Sequence, residues 1–335
     1  MGQPLRVTLD LARYVVGQRL RGRRRFPLVL MLEPTELCNL SCTGCGKIRQ
    51  DAAVMARRLT AQECFDAVDE CGAPAVSIAG GEPLTHPEIV EIVEGMLARR
   101  KLTLLCTNGI LLGRVLPKLR PDPRFSFVFH LDGPREHHDR MVERRGVFDL
   151  VMKGIREAKA RGFRVTTNTT LYKGADPEAV GQLLRELTAM GVDSCLVSPA
   201  FTYEEVDPAA HGIFLHRQEA IALVRRVVQA AGPGVRYYNT PMYLDFLLGR
   251  RTLQCTPWGN PTRDPLGWKG PCYLLTDAHY ERFEDLMNRT PWEDYGYGKN
   301  PRCASCMMHS GYEASAVAAM RPADAWRMLR WIFAG

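Results

Sequence analysis

Seven of the eleven cysteines fall in two groups, and these carry most of the chemistry this sequence could do. The first group is Cys38-Asn-Leu-Ser-Cys42-Thr-Gly-Cys45, spaced C-x3-C-x2-C directly after the apolar run 27–34. Three thiolates this close are soft ligands that suit iron. A 4Fe–4S cube held by three cysteines keeps one iron open to an outside ligand, whereas a four-cysteine site is closed. A zinc knuckle can look similar, so the next motif matters: Ala79-Gly80-Gly81-Glu82-Pro83, at the end of the following strand-like run. Gly80 and Gly81 let the backbone approach a ligand closely, and Glu82 can accept from an ammonium group. The second group is Cys255, Cys272 and Cys303-x2-Cys306, with His309 nearby. A pair, a gap and a C-x2-C pair is metal-ligand spacing. It suits a second 4Fe–4S cluster or a structural zinc, with a metal-free reading still open.

The elements that must position these groups follow from hydrophobic patterning. Strands are expected over 28–32, 75–79, 102–106, 126–131, 164–170 and 194–198. Helices are expected over 60–72, 87–99, 147–161 and 178–190, the first opened by Thr60 with Glu63 three residues on, a capping box. Helices between strands imply parallel pairing with right-handed crossovers. Six such units make an α/β fold, a partial TIM-type (β/α)6 barrel over 26–235, with a small cysteine-rich C-terminal domain over 236–320. Chemistry in such barrels sits at the C-terminal strand ends. Asn108, His130, Asp132, Asn168 and Ser198 all fall there and could read a ribose, an adenine or a substrate. Each alone could equally be a capping or loop residue. Cys106 closes the third strand; it is either a small buried hydrophobe or a reactive thiol. Cys64, Cys71 and Cys195 sit on helix or strand faces and read as buried hydrophobes.

A chain of 335 residues with 46% apolar and 24% charged residues is an ordinary soluble composition, with room for one large domain and a small one. No apolar run reaches the roughly 18 residues of a spanning helix, and no signal-peptide pattern opens the chain. Eleven cysteines then point to metal or redox chemistry rather than a disulfide frame. The charge is uneven: residues 1–25 carry seven arginines against Asp10, a net +6 of the chain's +7, which leaves +1 for the rest. Leu5, Leu9, Ala12, Val16 and Leu20 recur there at helical spacing. The segment 1–25 is expected to be a docked helix with a solvated basic edge or an anchor on anionic lipid. Nothing marks it as a nucleic-acid binder. The tail 321–335 is also amphipathic, with Trp326, Trp331 and Phe333 interleaved with Arg327 and Arg330.

Together the cysteine triplet and the Gly-Gly-Glu-Pro loop resemble the signature of radical S-adenosylmethionine enzymes. That resemblance implies S-adenosylmethionine on the open iron and a reductant such as flavodoxin or ferredoxin. It also implies that Gly80, Gly81 and Glu82 face the methionine moiety. The C-terminal cysteines resemble the shortened auxiliary-cluster extension of other members. Longer runs are similar to the adenosylhopane synthase family of hopanoid biosynthesis. Among them are Gly44-Cys-Gly-Lys-Ile48, Val76-Ser-Ile-Ala-Gly-Gly-Glu-Pro-Leu84, Leu105-Cys-Thr-Asn-Gly109, His130-Leu-Asp-Gly133, Gly267-Trp-Lys-Gly-Pro-Cys-Tyr-Leu274 and Gly311-Tyr-Glu313. The likeness extends from about Pro4 to Val317; Ser310 and Gly109 depart from the family pattern, and 201–226 matches poorly. The resemblance implies addition of a 5′-deoxyadenosyl radical to the alkene of diploptene (hopene), with Cys106 as hydrogen donor to the resulting tertiary radical. A radical enzyme acting on another polyprenoid or on a peptide is the alternative. Hopene partitions into the bilayer, so the expected location is cytoplasmic, peripherally associated with the inner face of the membrane.

Overall fold

Apolar runs too short for helices alternate with longer amphipathic stretches, and the chain folds accordingly. The computed structural model describes residues 5–46, 51–202, 206 and 208–333. Pro4, Lys47, Ile48 and the side chains of Leu5, Arg6 and Phe333 lie outside the described part. In chain order the elements begin α1 (Leu5–Leu20), β1 (Val29–Leu32), α2 (Ala52–Met55), α3 (Ala61–Cys71), β2 (Ala75–Ile78), α4 (Ile89–Ala98), β3 (Leu102–Thr107) and α5 (Leu112–Val115). There follow β4 (Phe125–His130), α6 (Arg135–Met141), α7 (Val147–Ala160), β5 (Arg164–Leu171), α8 (Pro177–Ala189), β6 (Ser194–Pro199) and α9 (Arg217–Ala231). The last part holds α10 (Pro241–Leu247), β7 (Thr262–Asp264), β8 (Gly267–Cys272), β9 (Leu275–Tyr280), α11 (Phe283–Arg289), α12 (His309–Ala318) and α13 (Pro322–Phe333).

All nine strands form one sheet in the order β6-β5-β4-β3-β2-β1-β7-β8-β9. The six expected strands pair in parallel, each beside its sequence neighbour. The expected capping box is present: Thr60 accepts from Glu63 N, Glu63 answers to Thr60 N, and Gly72 ends α3 in the left-handed region. The C-terminal residues do not build a sheet of their own. β7 adds in parallel to β1, and β8 and β9 follow antiparallel. Leu30, Val76, Leu105, Phe127 and Val165 face the helices, in a core that also takes Trp268, Leu286 and Tyr312. Cys64, Cys71 and Cys195 are buried in the same core.

The junction between β1 and the added strands is held by charge. Lys269, on β8, is only 3% exposed. Its ammonium lies 3.0 Å from Glu33, 3.1 Å from Asp264 and 3.9 Å from Glu36, all three buried. Burial pushes the Asp264 carboxyl up, but the His279 hydrogen bond and the Lys269 charge hold it well below the usual range. Breaking one partner of a buried pair strands the others without compensation. Lys269→Met is therefore expected to cost about 3–5 kcal/mol, read as a lower urea midpoint; an unchanged midpoint would rule out the network as the clamp.

α1 docks differently from the face expected of it. Val7 and Leu11 pack on Ala75, Leu102 and Val29, at the N-terminal ends of β2, β3 and β1. The Tyr14 hydroxyl donates to Pro27 O, and Gln18 is buried. The expected stripe instead faces outward: Leu9, Ala12 and Val16 are exposed, and Leu20 is 84% exposed.

Candidate active site

Side chains alternate across a strand, so the face opposite the helical core is fixed by the register. Cys106 pairs with Val128, Val128 with Thr166 and Thr166 with Ser194 in one cross-strand row. One row nearer the C-terminal ends, His130 pairs with Asn168. Beyond that, Thr170 pairs with Ser198. The sheet thus presents a polar face of stacked rows, with Cys106 beneath the histidine and asparagine.

The cysteine loop follows β1 and is held by the loop after β2. Gly81 N donates to Thr35 O and Glu82 N to Leu37 O, each at 2.9 Å. Gly80 has a φ of +100°, and a Cβ there would lie 2.5 Å from the Thr35 carbonyl oxygen. A Cβ on Gly81 would lie 2.5 Å from the Glu36 oxygen and closer still to that of Leu37. These glycines allow two protein loops to touch, in addition to any ligand they face. Cys38, Cys42 and Cys45 are partly exposed on the held loop. Burial raises the Cys38 thiol to about 11 and Cys42 higher still, and the neighbouring cysteines add to both shifts. Tyr172, at the end of the β5 segment, closes over the loop: a Cβ on Gly44 would lie 2.8 Å from its ring.

Glu82 is buried, and burial raises its carboxyl. It accepts from Thr107 Oγ1 at 2.8 Å, Asn108 N at 2.7 Å and Leu84 N at 3.0 Å. Asn108 Nδ2 donates to Asn39 Oδ1 at 2.7 Å, which ties the loop after β3 to the cysteine loop. His130 Nε2 lies 2.8 Å from Asp132 Oδ2. Burial opposes charge on that imidazole, yet the adjacent Asp132 raises its pKa above the usual value. Asp132 also accepts from Thr170 N, and its own N donates to His138 Nδ1. Ser198 Oγ donates to Met308 Sδ at 3.7 Å, so it faces the C-terminal segment. Cys106 Sγ lies 3.6 Å from Ser77 Oγ, and burial raises its thiol to about 11. At neutral pH it is a protonated thiol.

Cys255, Cys272 and the Cys303–Cys306 pair are brought together from three places in the last 81 residues. Burial raises the Cys255 thiol first, and Cys306, Cys272 and Cys303 raise it further. Arg217 braces this group; its guanidinium donates to Cys306 O at 3.1 Å and stacks 4.1 Å from the Tyr297 ring centre. Among the described residues, three metal-capable ligand atoms lie within 4.8 Å of one another only at Glu33, Glu36 and Asp264. Buried Asn39 Nδ2 and Asn168 Oδ1 have no hydrogen-bond partner and are suited to meet polar groups of a bound ligand. The donor sets and these two atoms fit a 4Fe–4S cluster and S-adenosylmethionine.

Sequence reasoning missed Asn39, Ser77, Thr107, Tyr172 and Arg217. Thr107-Asn108 flanking a strand end was the only signal, and it singled out one residue of the two.

Residues 32–187 match the model of the radical SAM superfamily, and residues 195–328 match a domain of unknown function, DUF3463. AdoMet-dependent heme synthase of Methanosarcina barkeri is 30% identical over 200 residues, 57% of each chain. GTP 3′,8-cyclase of Clostridium perfringens is 27% identical over 161 residues, 46% of this chain and 50% of that one. The chain thus spans about half the length of these curated relatives. Among solved structures, native anSMEcpe with bound AdoMet superposes with a TM-score of 0.56 at 16% identity, covering 92% of this chain and 97% of that one. It shares the fold.

Because the glycine contact holds the cysteine loop, Gly81→Ala should overpack it at a cost of about 1–3 kcal/mol. Thermal unfolding should shift down and iron retained after reconstitution should fall. Wild-type values for both would show that the loop does not need the contact.

Proposed function

We propose that this chain, a radical SAM superfamily enzyme with a 4Fe–4S cluster and S-adenosylmethionine as cofactors, is an adenosyltransferase acting on the alkene of diploptene (hopene). Cys38, Cys42 and Cys45 would hold the cluster; Gly80, Gly81, Glu82, Asn108, His130, Asp132, Asn168 and Ser198 would surround S-adenosylmethionine and substrate. When bound and reduced by a donor such as flavodoxin or ferredoxin, the cofactors supply a 5′-deoxyadenosyl radical. The chain's task is to bring that carbon to the alkene before it meets any hydrogen, which is a matter of near-attack geometry. Addition leaves a tertiary carbon radical that needs one hydrogen atom.

One observation carries the reading. The Cys106 thiol stands on the inner sheet face one row below His130 and Asn168, beside Ser77 and in its protonated form. A neutral thiol there is a hydrogen-atom donor to a radical formed in the row above it. The four C-terminal cysteines are the ligand set of a closed site and would hold a second 4Fe–4S cluster.

The bilayer reading rests on exposed apolar surface. No described helix is long and apolar enough to cross a membrane. Six of the nine large exposed hydrophobics among the described residues are Leu9, Val16, Leu20, Met320, Trp326 and Leu329. All belong to α1, α13 or the corner before α13, and Arg19 donates to Ala318 O to join them. Apolar residues among arginines suit the interface of an anionic membrane at its cytoplasmic face. Since α1 packs on the N-terminal strand ends, it would hold the enzyme on the bilayer without forming the substrate's entrance.

Anaerobic incubation of the reconstituted enzyme with S-adenosylmethionine, reductant and hopene should yield adenosylhopane by mass analysis. Alanine at Cys38, Cys42 or Cys45 should abolish 5′-deoxyadenosine formation, while the triple variant keeps about four irons in the second site. Cys106→Ala should still cleave S-adenosylmethionine but fail to give the saturated product. Normal product from that variant would remove Cys106 from the reaction.

A further inference from the structure

The end of the sheet remote from the cysteine loop holds a second cavity, of about 460 Å³, which the proposed reaction does not use. Its floor is formed by Arg164 and Ser194, the first residues of β5 and β6, and by the 234–239 segment. α10 and α13 close the sides, with Leu244, Leu248 and Trp331 as apolar wall. Four arginines line it: Arg164, Arg236, Arg250 and Arg327. Two carboxylates stand against them. Asp193 is already paired with Lys159 at 2.6 Å, and Asp245 with Arg327 at 2.6 Å. The lining thus holds four arginines against two carboxylates, an excess of positive charge.

Two residues of its lining also hold polar atoms without a partner. The Arg236 Nε and the Tyr237 hydroxyl are buried with no hydrogen-bond partner, although the other end of Arg236 donates to Val192 O. A buried donor without an acceptor costs about 1–3 kcal/mol unless a ligand supplies one. Guanidinium groups match the oxygens of a phosphate by parallel hydrogen bonds. The apolar wall beside them suits a non-polar substituent on that phosphate.

We propose that this cavity is a binding site for a phosphate ester, its oxygens taken by Arg236, Tyr237, Arg250 and Arg327. The ester could come from a lipid headgroup or from a small soluble molecule. The headgroup source rests on the membrane reading above, since α13 lends Arg327 and Trp331 to the cavity and exposes Trp326 and Leu329. The site itself does not rest on that reading.

The test uses the reconstituted full chain and three probes: inorganic phosphate, glycerol 1-phosphate, and phosphatidylcholine vesicles with or without phosphatidylglycerol. Arg250→Glu and Arg327→Gln alter the cavity, with Arg250→Lys as a charge-conserving control. Leu9→Glu with Trp326→Glu alters the exposed stripe instead. Each lost positive charge should weaken binding of glycerol 1-phosphate about tenfold or more, with Arg250→Lys, which keeps the charge but not the fork, weakened less than Arg250→Glu. The stripe variant should bind the soluble phosphates normally. If the cavity variants also stop co-sedimenting with phosphatidylglycerol vesicles, the headgroup is the source. If they co-sediment like wild type, the soluble ester is. A stripe variant that still sediments overturns the membrane reading alone. Soluble phosphates and anionic vesicles that bind the wild type and the cavity variants equally, or bind neither, would overturn the site.

Discussion

The mouth of the barrel depends on a close approach that only glycine permits. The loop after β2 lies with its backbone against residues 35–37, and neither Gly80 nor Gly81 has room for a Cβ there. That contact fixes the cysteine loop from one side. Glu82, next in the chain, extends it to the third strand by accepting from Thr107 and Asn108 N, and Asn108 then reaches back to Asn39. Three loops from three strands are locked into one rim by a few short hydrogen bonds in a buried setting, where each is electrostatically stronger than in water. The proposed reaction, which must hold a reactive carbon in one orientation, would need such a rim.

A second constraint works from beneath. Glu33 follows β1, Asp264 ends β7 and Lys269 lies on β8, so their cluster ties the first barrel strand to the C-terminal extension. Burial of an ammonium and three carboxylates is expensive, and mutual attraction offsets it only when the geometry is close. Such a cluster is weak evidence for stability and better evidence for a fixed relation between parts. Here the fixed parts are the cysteine loop, which opens at Cys38 two residues after Glu36, and the strand that ends in Cys272.

The parallel strands were legible because the helix-facing side of the sheet demands an apolar residue at every second position, as Phe125, Phe127 and Phe129 supply in the fourth strand. The capping box at Thr60 was equally plain. β7 to β9 were not, because Gly267-Trp-Lys-Gly-Pro-Cys272 carries two glycines, a proline and a lysine that reads as solvent-facing. Lys269 is buried only because three acids from distant positions converge on it, and spacing along the chain does not encode that. α1 misleads for a related reason. Val7, Leu11, Tyr14 and Gln18 form its docked face, and a glutamine there hides the stripe. The cysteine groups could be proposed as ligand sets from their spacing; the partners that orient the rim, Asn39, Thr107 and Tyr172, are ordinary residue types whose place exists only in three dimensions.

The two ends of the parallel strands carry different burdens. The C-terminal ends hold thiols, an imidazole–carboxylate pair and unpartnered amide groups, all of which suit reaction and need water kept out. The N-terminal ends hold α1, with its exposed leucines and arginines, and the arginine-lined cavity beside α13. A charged lipid surface pressed against the reacting end would bring ions and water to a radical. In the proposed membrane reading, that surface would sit at the far end of strands six to eight residues long, about 3.3 Å per residue, some 20 Å or more away. The sheet would then serve as an insulating distance as much as a scaffold, and the proposed attachment and chemistry could each be tuned by residues that the other does not touch.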